Sequence, residues 1–296
     1  MMIRSCDSVS PAPPMFAPRR RLPIGAEVQE NGHVHFRVWA PQAGGVSVRI
    51  GCDPNLDDAA EFPLEAERGG YHAGEVELAR TGMHYRFVLP TGEFPDPASR
   101  FQPDGPHGAS RIIEPEFAWT DGGWPGVSAD GQVIYEMHIG TFTREGTWVS
   151  AEALLPSLAD LGITLLEVMP VADFPGRCGW GYDGVNLFAP THLYGQPDDF
   201  RRFVDRAHAL GLGVILDVVY NHLGPDGNHL SEFCPRYFSE RYHSDWGEAL
   251  NFDGADAAPV REFFIANAAY WIREFHLDGL RLDATQQIFD SSDCHI

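Results

Sequence analysis

Residues 213–222 read GVILDVVYNH and residues 279–284 read GLRLDA. Each is a short apolar strand that ends in polar residues. Residues 214–219 carry Asp217 near their end and run straight into Asn221 and His222, while residues 279–283 carry Arg281 and Asp283. A carboxylate inside an apolar strand loses its hydration, which is costly unless a partner replaces the water. Side chains alternate along a strand, so Leu280 and Leu282 point one way and Arg281 and Asp283 point together the other way. An arginine two residues before an aspartate on one face would keep that carboxylate ionised and oriented, as a nucleophile at a sugar's anomeric carbon requires. The same spacing also fits a structural ion pair, and spacing by itself leaves both readings open.

Outward from these segments the chain alternates. Strands are expected over 133–138, 163–169, 214–219 and 279–283, and helices over 152–161, 198–210 and 260–275. Phe200, Phe203, Val204 and Ala207 repeat at helical spacing behind Asp198 and Asp199, with Gly211 placed to terminate the helix. Val260, Phe263, Phe264, Trp271 and Phe275 form a second apolar stripe after Pro259. Pro156 falls inside the first helix and should kink or restart it. Alternating strands and helices with near-continuous apolar strands imply a parallel sheet, an α/β fold in which polar residues at the C-terminal strand ends mark the site.

The first hundred residues follow another pattern. Residues 1–25 mix Pro, Ser and Arg without periodicity and read as a flexible leader. Val34, Phe36 and Val38 then alternate with His35, Arg37 and Trp39, as do Val46, Val48 and Ile50 with Ser47 and Arg49, which predicts half-buried strands. Further strands are expected over 71–78 and 83–89, so residues 26–100 read as a small β-sandwich. The Pro- and Gly-rich stretch 101–126 reads as a linker, and residues 127–296 form the second domain.

A third polar-aromatic segment, FPGRCGWGYDGVNLFAPTHLYG at 174–195, follows the second expected parallel strand. Trp180 and Tyr182 could offer flat faces to a sugar ring with Asp183 hydrogen-bonding beside them, although a merely well-packed loop would look similar. Composition narrows the partners. The 42 acidic and 21 basic residues give a formal charge of −21, which repels phosphate backbones and anionic lipid but is indifferent to an uncharged sugar. Nucleic acid and membrane are therefore not expected partners. The five cysteines are odd in number, scattered and free of any CxxC pair, so no disulfide framework or zinc cluster is indicated and a cytoplasmic location is expected.

Taken together, the motifs resemble the α-amylase family of glycoside hydrolases, because DVVYNH at 217–222 and GLRLDA at 279–284 occur in that family's order on the expected strands. The resemblance spans roughly residues 20–296. It implies an immunoglobulin-like N-terminal β-sandwich followed by the first half of a TIM (β/α)8 barrel. It also implies roles: Asp283 as nucleophile, Arg281 as its orienting partner, Asp217 and His222 shaping the subsite for the reacting glucose, and Tyr182 stacking beneath that ring. Asn221 matches a position that ligates calcium in many amylases, but the trehalose-forming branch generally lacks that ion, so no metal and no cofactor are expected. RRLPIGAEV and VHFRVWAP near the start, YEMHIGTFTREGTW at 135–148, EVMPVADFPGR at 167–177 and NFDG at 251–254 point to that branch. The substrate implied is maltooligosyltrehalose or a related α-glucan. Glycogen branching or debranching enzymes, or a non-catalytic α-glucan-binding half-barrel, are the alternatives. Cys178 departs from the basic or polar residue expected there. The family's general acid, a glutamate, follows a fifth barrel strand, so the 296-residue chain is expected to be C-terminally truncated and inactive by itself.

Overall fold

The computed structural model describes residues 20–296. Its first domain is built from β1 (Gly25–Val28), β2 (Val34–Trp39), β3 (Val46–Gly51), β4 (Ala60–Ala66), β5 (Tyr71–Val76), β6 (His84–Leu89), β7 (Gly92–Phe94) and β8 (Ser110–Arg111). All pair antiparallel in the order β1-β2-β5-β4-β3-β6-β7, with β8 on β6. β4 pairs with β3 through Ala60–Leu64 and then hands over to β5 at Glu65 and Ala66, so the sheet doubles back on itself. Across the fold Phe36 of β2 meets the edges of Tyr85 and Phe87 of β6, at 5.1 and 6.4 Å between ring centroids. This is the expected sandwich.

The second domain continues with β9 (Ile134–Met137), α1 (Ile139–Phe142), α2 (Trp148–Glu152), α3 (Leu155–Leu161), β10 (Leu165–Val168), β11 (Ala172–Asp173), β12 (Asn186–Pro190), α4 (Pro197–Ala209), β13 (Gly213–Val218), α5 (Leu230–Phe233), β14 (Phe238–Ser244), β15 (Gly247–Leu250), α6 (Ala257–Glu274) and β16 (Gly279–Leu282). β9, β10, β13 and β16 form a parallel sheet whose spatial order follows chain order. Crossovers of one hand without a reversal keep the connecting helices on one side, which is how half of a βα barrel is wound. Leu166, Val168, Val214, Leu216 and Val218 are buried on that helical side. On the other side Glu136 of β9 lies directly beside Glu167 of β10.

Pro156 does restart the helix: α2 ends at Glu152 and α3 begins with the proline in its first turn. The start of α2 is fixed by a capping box in which Thr147 and Ser150 accept each other's backbone N–H. Gly211 follows α4 at φ +79°, the left-handed position expected for it.

Three expectations need correction. Residues 1–19 of the expected leader lie outside the described residues, but 20–24 are not loose: Leu22 and Ile24 are buried and Arg20 donates to the Leu22, Gly25 and His35 carbonyls. The linker stretch is likewise an ordered bridge at its start, where β8 and the buried Ile112 hold it to the sandwich. β2 is buried on both faces rather than one, because Trp39 packs edge-on against Tyr237 of the second domain at 5.0 Å and His35 is covered by Arg20. Phe87 against Phe233, Arg100 over the Phe188 and Tyr270 rings, and the hydrogen bond from Tyr71 to Glu262 extend the same interface.

Trp148 is the keystone of the helical layer, stacked on Phe200 at 4.0 Å and touching Phe203 and Tyr194. Trp148→Ala is expected to destabilise the second domain by roughly 3–5 kcal/mol in urea unfolding, as large aromatic deletions in dense cores do. A loss well under about 1 kcal/mol, typical of a surface change, would contradict this packing.

Candidate active site

β13 and β16 run in register with Asp217 directly opposite Arg281. The pairing puts both side chains on the face away from the helices, so the arginine meets two carboxylates at once. One guanidinium nitrogen, Nη1, donates to both Asp217 oxygens at 3.1 and 3.0 Å and to Asp283 Oδ1 at 2.7 Å. Its Nε lies 3.9 Å from Glu167 Oε1 on β10. The Asp217 side chain is only 1% exposed, whereas those of Asp283 and Arg281 are 19% and 42% exposed. One carboxylate is thus structural and enclosed, and the other faces the solvent that a substrate would replace.

Asp283 sits just past the end of β16, its N–H donating to the Val218 carbonyl at 3.0 Å. The next residue, Ala284, turns away at φ 39°, a left-handed conformation that costs an L-residue on the order of 1 kcal/mol or more. Asn221, at the end of the strand motif, donates its amide to the Asp283 carbonyl at 3.0 Å and to Oδ2 at 3.2 Å. His222 in turn donates from Nδ1 to the Asn221 side-chain oxygen. Burial lowers the His222 imidazole, so near neutral pH it serves as this neutral donor. The two Asp283 oxygens are therefore held from two sides, by a cation and by an amide.

Tyr182 donates its hydroxyl to Asp217 Oδ2 at 2.9 Å. Its loop comes this close because two glycines allow it: a side chain at Gly181, φ +94°, would overlap the Pro170 carbonyl oxygen, and one at Gly224 would overlap that of Asp183. His138, after β9, bonds the Gly179 carbonyl at 2.9 Å and the Tyr194 hydroxyl at 3.0 Å, fixing the loop from the far side. Burial, and then the bond to Asp217, push the Tyr182 phenol up. Burial also pushes Asp217 above the ordinary carboxylate range, against the hydrogen bonds from Tyr182 and Arg281. The bond to Asp283, followed by those to Asp217, outweighs burial and raises Arg281.

The structure brings Asp217, Arg281, Asp283, Tyr182 and, through Asn221, His222 into one cluster. It does not bring in Trp180, which is 75% exposed, and Asp183 is also exposed with no hydrogen bond to the cluster. Both lie on the loop that Tyr182 anchors, but their side chains point outward. Sequence reasoning gave no role in this cluster to Asn221 or to Glu167, and it did not single out Trp246, whose ring lies 5.7 Å from that of His222 at the tip of the β14–β15 hairpin. Asn221 was legible as a motif position, whereas Trp246 was not, because a turn tryptophan carries no periodic signal. Among the described residues no group of three or more His, Cys, Asp or Glu side chains is placed to hold a metal ion.

Residues 136–246 match the family described as alpha amylase, catalytic domain, and residues 23–101 match carbohydrate-binding module 48, the isoamylase N-terminal domain. The parallel-sheet domain is thus similar to an α-amylase catalytic domain. It is 46% identical over 276 residues to a malto-oligosyltrehalose trehalohydrolase of Saccharolobus solfataricus, covering 93% of this chain and 48% of that one. A relative of the same name from Deinococcus radiodurans is 44% identical over 296 residues, with 97% and 47% covered. A 1,4-alpha-glucan branching enzyme of Rhodospirillum rubrum is 38% identical over 280 residues, with 84% and 37% covered. The solved structure of a putative alpha amylase from Salmonella typhimurium superposes with a TM-score of 0.86 at 43% identity, over 93% of this chain and 46% of that one. The chain spans about half the length of the curated relatives it matches. No helix among the described residues is long and apolar enough to cross a membrane.

Arg281→Leu leaves the buried Asp217 with Tyr182 as its remaining side-chain donor and drives its carboxyl further up. A raised carboxyl is tolerated while protonated, below its unfolded value near pH 4, and costs stability as pH rises through its folded value. The variant is expected to lose ~1–3 kcal/mol at neutral pH and less in acid, read by urea unfolding. An identical deficit at acidic and mildly alkaline pH would show that Asp217 does not depend on the guanidinium.

Proposed function

We propose that this cluster is the nucleophile side of a retaining α-glucan hydrolase that cleaves the α-1,4 bond next to a terminal trehalose unit and releases trehalose. The observation that carries it is the double hold on Asp283, with Arg281 Nη1 on Oδ1 and Asn221 on Oδ2 while the carboxylate still faces solvent. A carboxylate so held is charged and aimed, and it can attack an anomeric carbon without first reorganising. The glycosyl–oxygen bond to the leaving sugar breaks as the bond to Asp283 forms. A carboxylic acid about 5 Å away protonates the departing oxygen and then, as its conjugate base, activates the water that releases the sugar with net retention. By the family resemblance that acid is a glutamate after a fifth barrel strand. Asp217, Tyr182 and His222 bound the subsite of the reacting glucose, and the chemistry calls for no cofactor. The trehalose-releasing specificity, and with it a trehalose-forming role, is supported by the relatives at 44–46% identity, and the scattered cysteines without a CxxC pair support a cytoplasmic location. The 38% identical branching enzyme supports a second reading, transfer to another glucan in place of water.

A direct test joins this chain to the part of the Saccharolobus relative that it does not cover and assays the product on maltotriosyltrehalose and on amylose. Trehalose release with retained configuration is expected, falling by at least roughly 10³-fold in Asp283→Asn, as loss of a covalent nucleophile does. New branch points in amylose without trehalose would replace this reading with the transferase. The 296-residue chain by itself is expected to be slowed in a native gel containing glycogen, through its module-48 domain, and to release no trehalose.

A further inference from the structure

At the opposite end of the same sheet lies a second charged cluster, which the proposed reaction does not use. His208, at the end of α4, bonds Asp121 Oδ2 through Nδ1 at 2.9 Å and Asp278 Oδ2 through Nε2 at 3.2 Å. Its side chain is 1% exposed, and both carboxylates are buried. His276 also donates from Nδ1 to Asp121, at 2.9 and 3.1 Å to its two oxygens. Two tryptophans of the linker cover the rings: Trp124 stacks on His208 at 4.7 Å and Trp119 on His276 at 3.8 Å. Among the described residues no arginine pairs with Asp121 or Asp278, so histidine is the cation at hand. The other acidic group nearby, Asp205 of α4, is taken up by the Thr120 N–H and hydroxyl at 2.8 and 2.7 Å.

Asp278 is the residue before β16, and it is stitched to β13. Its N–H donates to the Val214 carbonyl and its Oδ2 accepts the Val214 N–H, both at 2.8 Å, while Oδ1 accepts from Trp124 Nε1 at 2.8 Å. β16 pairs in register with β13, and a slip of one residue would turn Arg281 and Asp283 toward the helices. We propose that His208 is a positioning residue: as an imidazolium clamped between Asp121 and Asp278 it pins the entry of β16 to β13 and so sets the register that seats Arg281 beside Asp217.

The charge state follows from donor counting. Ionised carboxylates only accept, so a ring bonded to one through each nitrogen carries both protons. Burial would lower His208, but the bonds to Asp278 and Asp121 outweigh it and raise the imidazole above its ordinary value of 6.5. The hydrogen bonds from His276 and His208 likewise overcome burial to lower Asp121, as those from His208, Trp124 and Val214 do for Asp278. The histidine's contribution is complete below its unfolded value and is lost as pH rises through the folded one. The carboxylates' contribution is lost in acid. The clamp therefore has a mildly acidic to neutral working range and loosens on the alkaline side. None of this depends on the reaction at Asp283.

The test is amide hydrogen exchange of Leu280, Leu282 and Asp283 against pH, with the ring titration of His208 followed by NMR in the same 296-residue chain. His208 is expected to titrate above 6.5, and protection of the β16 amides, corrected for intrinsic exchange, to fall about tenfold per unit of that shift as the ring deprotonates. His208→Gln is expected to exchange fast at β16 at every pH while Phe36 and Phe87 in the sandwich keep their protection. Trp124→Phe, which keeps the stack and removes one donor to Asp278, should fall between. If His208→Gln does not fold, the wild-type titration decides. A His208 midpoint at or below the ordinary value, or β16 protection that ignores its titration, would overturn the proposal.

Discussion

One guanidinium nitrogen holds the second domain's chemistry together. Arg281 Nη1 is shared by a buried carboxylate on β13 and a partly exposed one past β16, so it offsets the desolvation of Asp217 while orienting Asp283. Either pairing alone would be an ordinary ion pair. Together they require that two parallel strands keep their register, that β16 end where it does, and that Ala284 accept a left-handed turn. The remaining features serve that arrangement: the helical layer around Trp148, the loop glycines that deliver Tyr182, and the Asn221–His222 relay each remove a freedom that Asp283 would otherwise have.

Much of this was legible because it rests on short-range periodicity. The four parallel strands, α4 with its acidic first turn and terminal glycine, and the restart at Pro156 all follow from local pattern. The Arg281–Asp283 pair was legible for the same reason, since two residues on one strand share a face whatever surrounds them. β4 was not. Its AEFPLEA sequence is acidic, mostly exposed and interrupted by Pro63, all marks of a turn, yet it is the strand that joins the two layers of the sandwich. Trp180 and Asp183 misled in the other direction, because an aromatic-rich loop does not disclose which of its side chains turns inward. Asp217 beside Arg281 is a cross-strand fact, fixed by register and invisible to composition.

The sandwich is more than an appendage. Trp39 and Phe87 give β2 and β6 apolar contacts that no isolated sandwich would need, and Tyr71 reaches Glu262 on α6. Because α6 leads directly into β16, the module and the site are mechanically adjacent although their sequences lie far apart. That adjacency also explains why β2 is buried on both faces when alternation predicted one wet side.

The neighbouring glutamates on β9 and β10 have a colloidal consequence. Glu136 and Glu167 sit side by side on the face opposite the helices, and like charges placed so repel. Two copies meeting face to face would press these four glutamates into one dry seam together with Asp217 and Asp283 of each copy, and each Arg281 is already shared by its own two aspartates. Face-to-face stacking of these sheets is thereby discouraged at neutral pH, which keeps this polar face open to solvent.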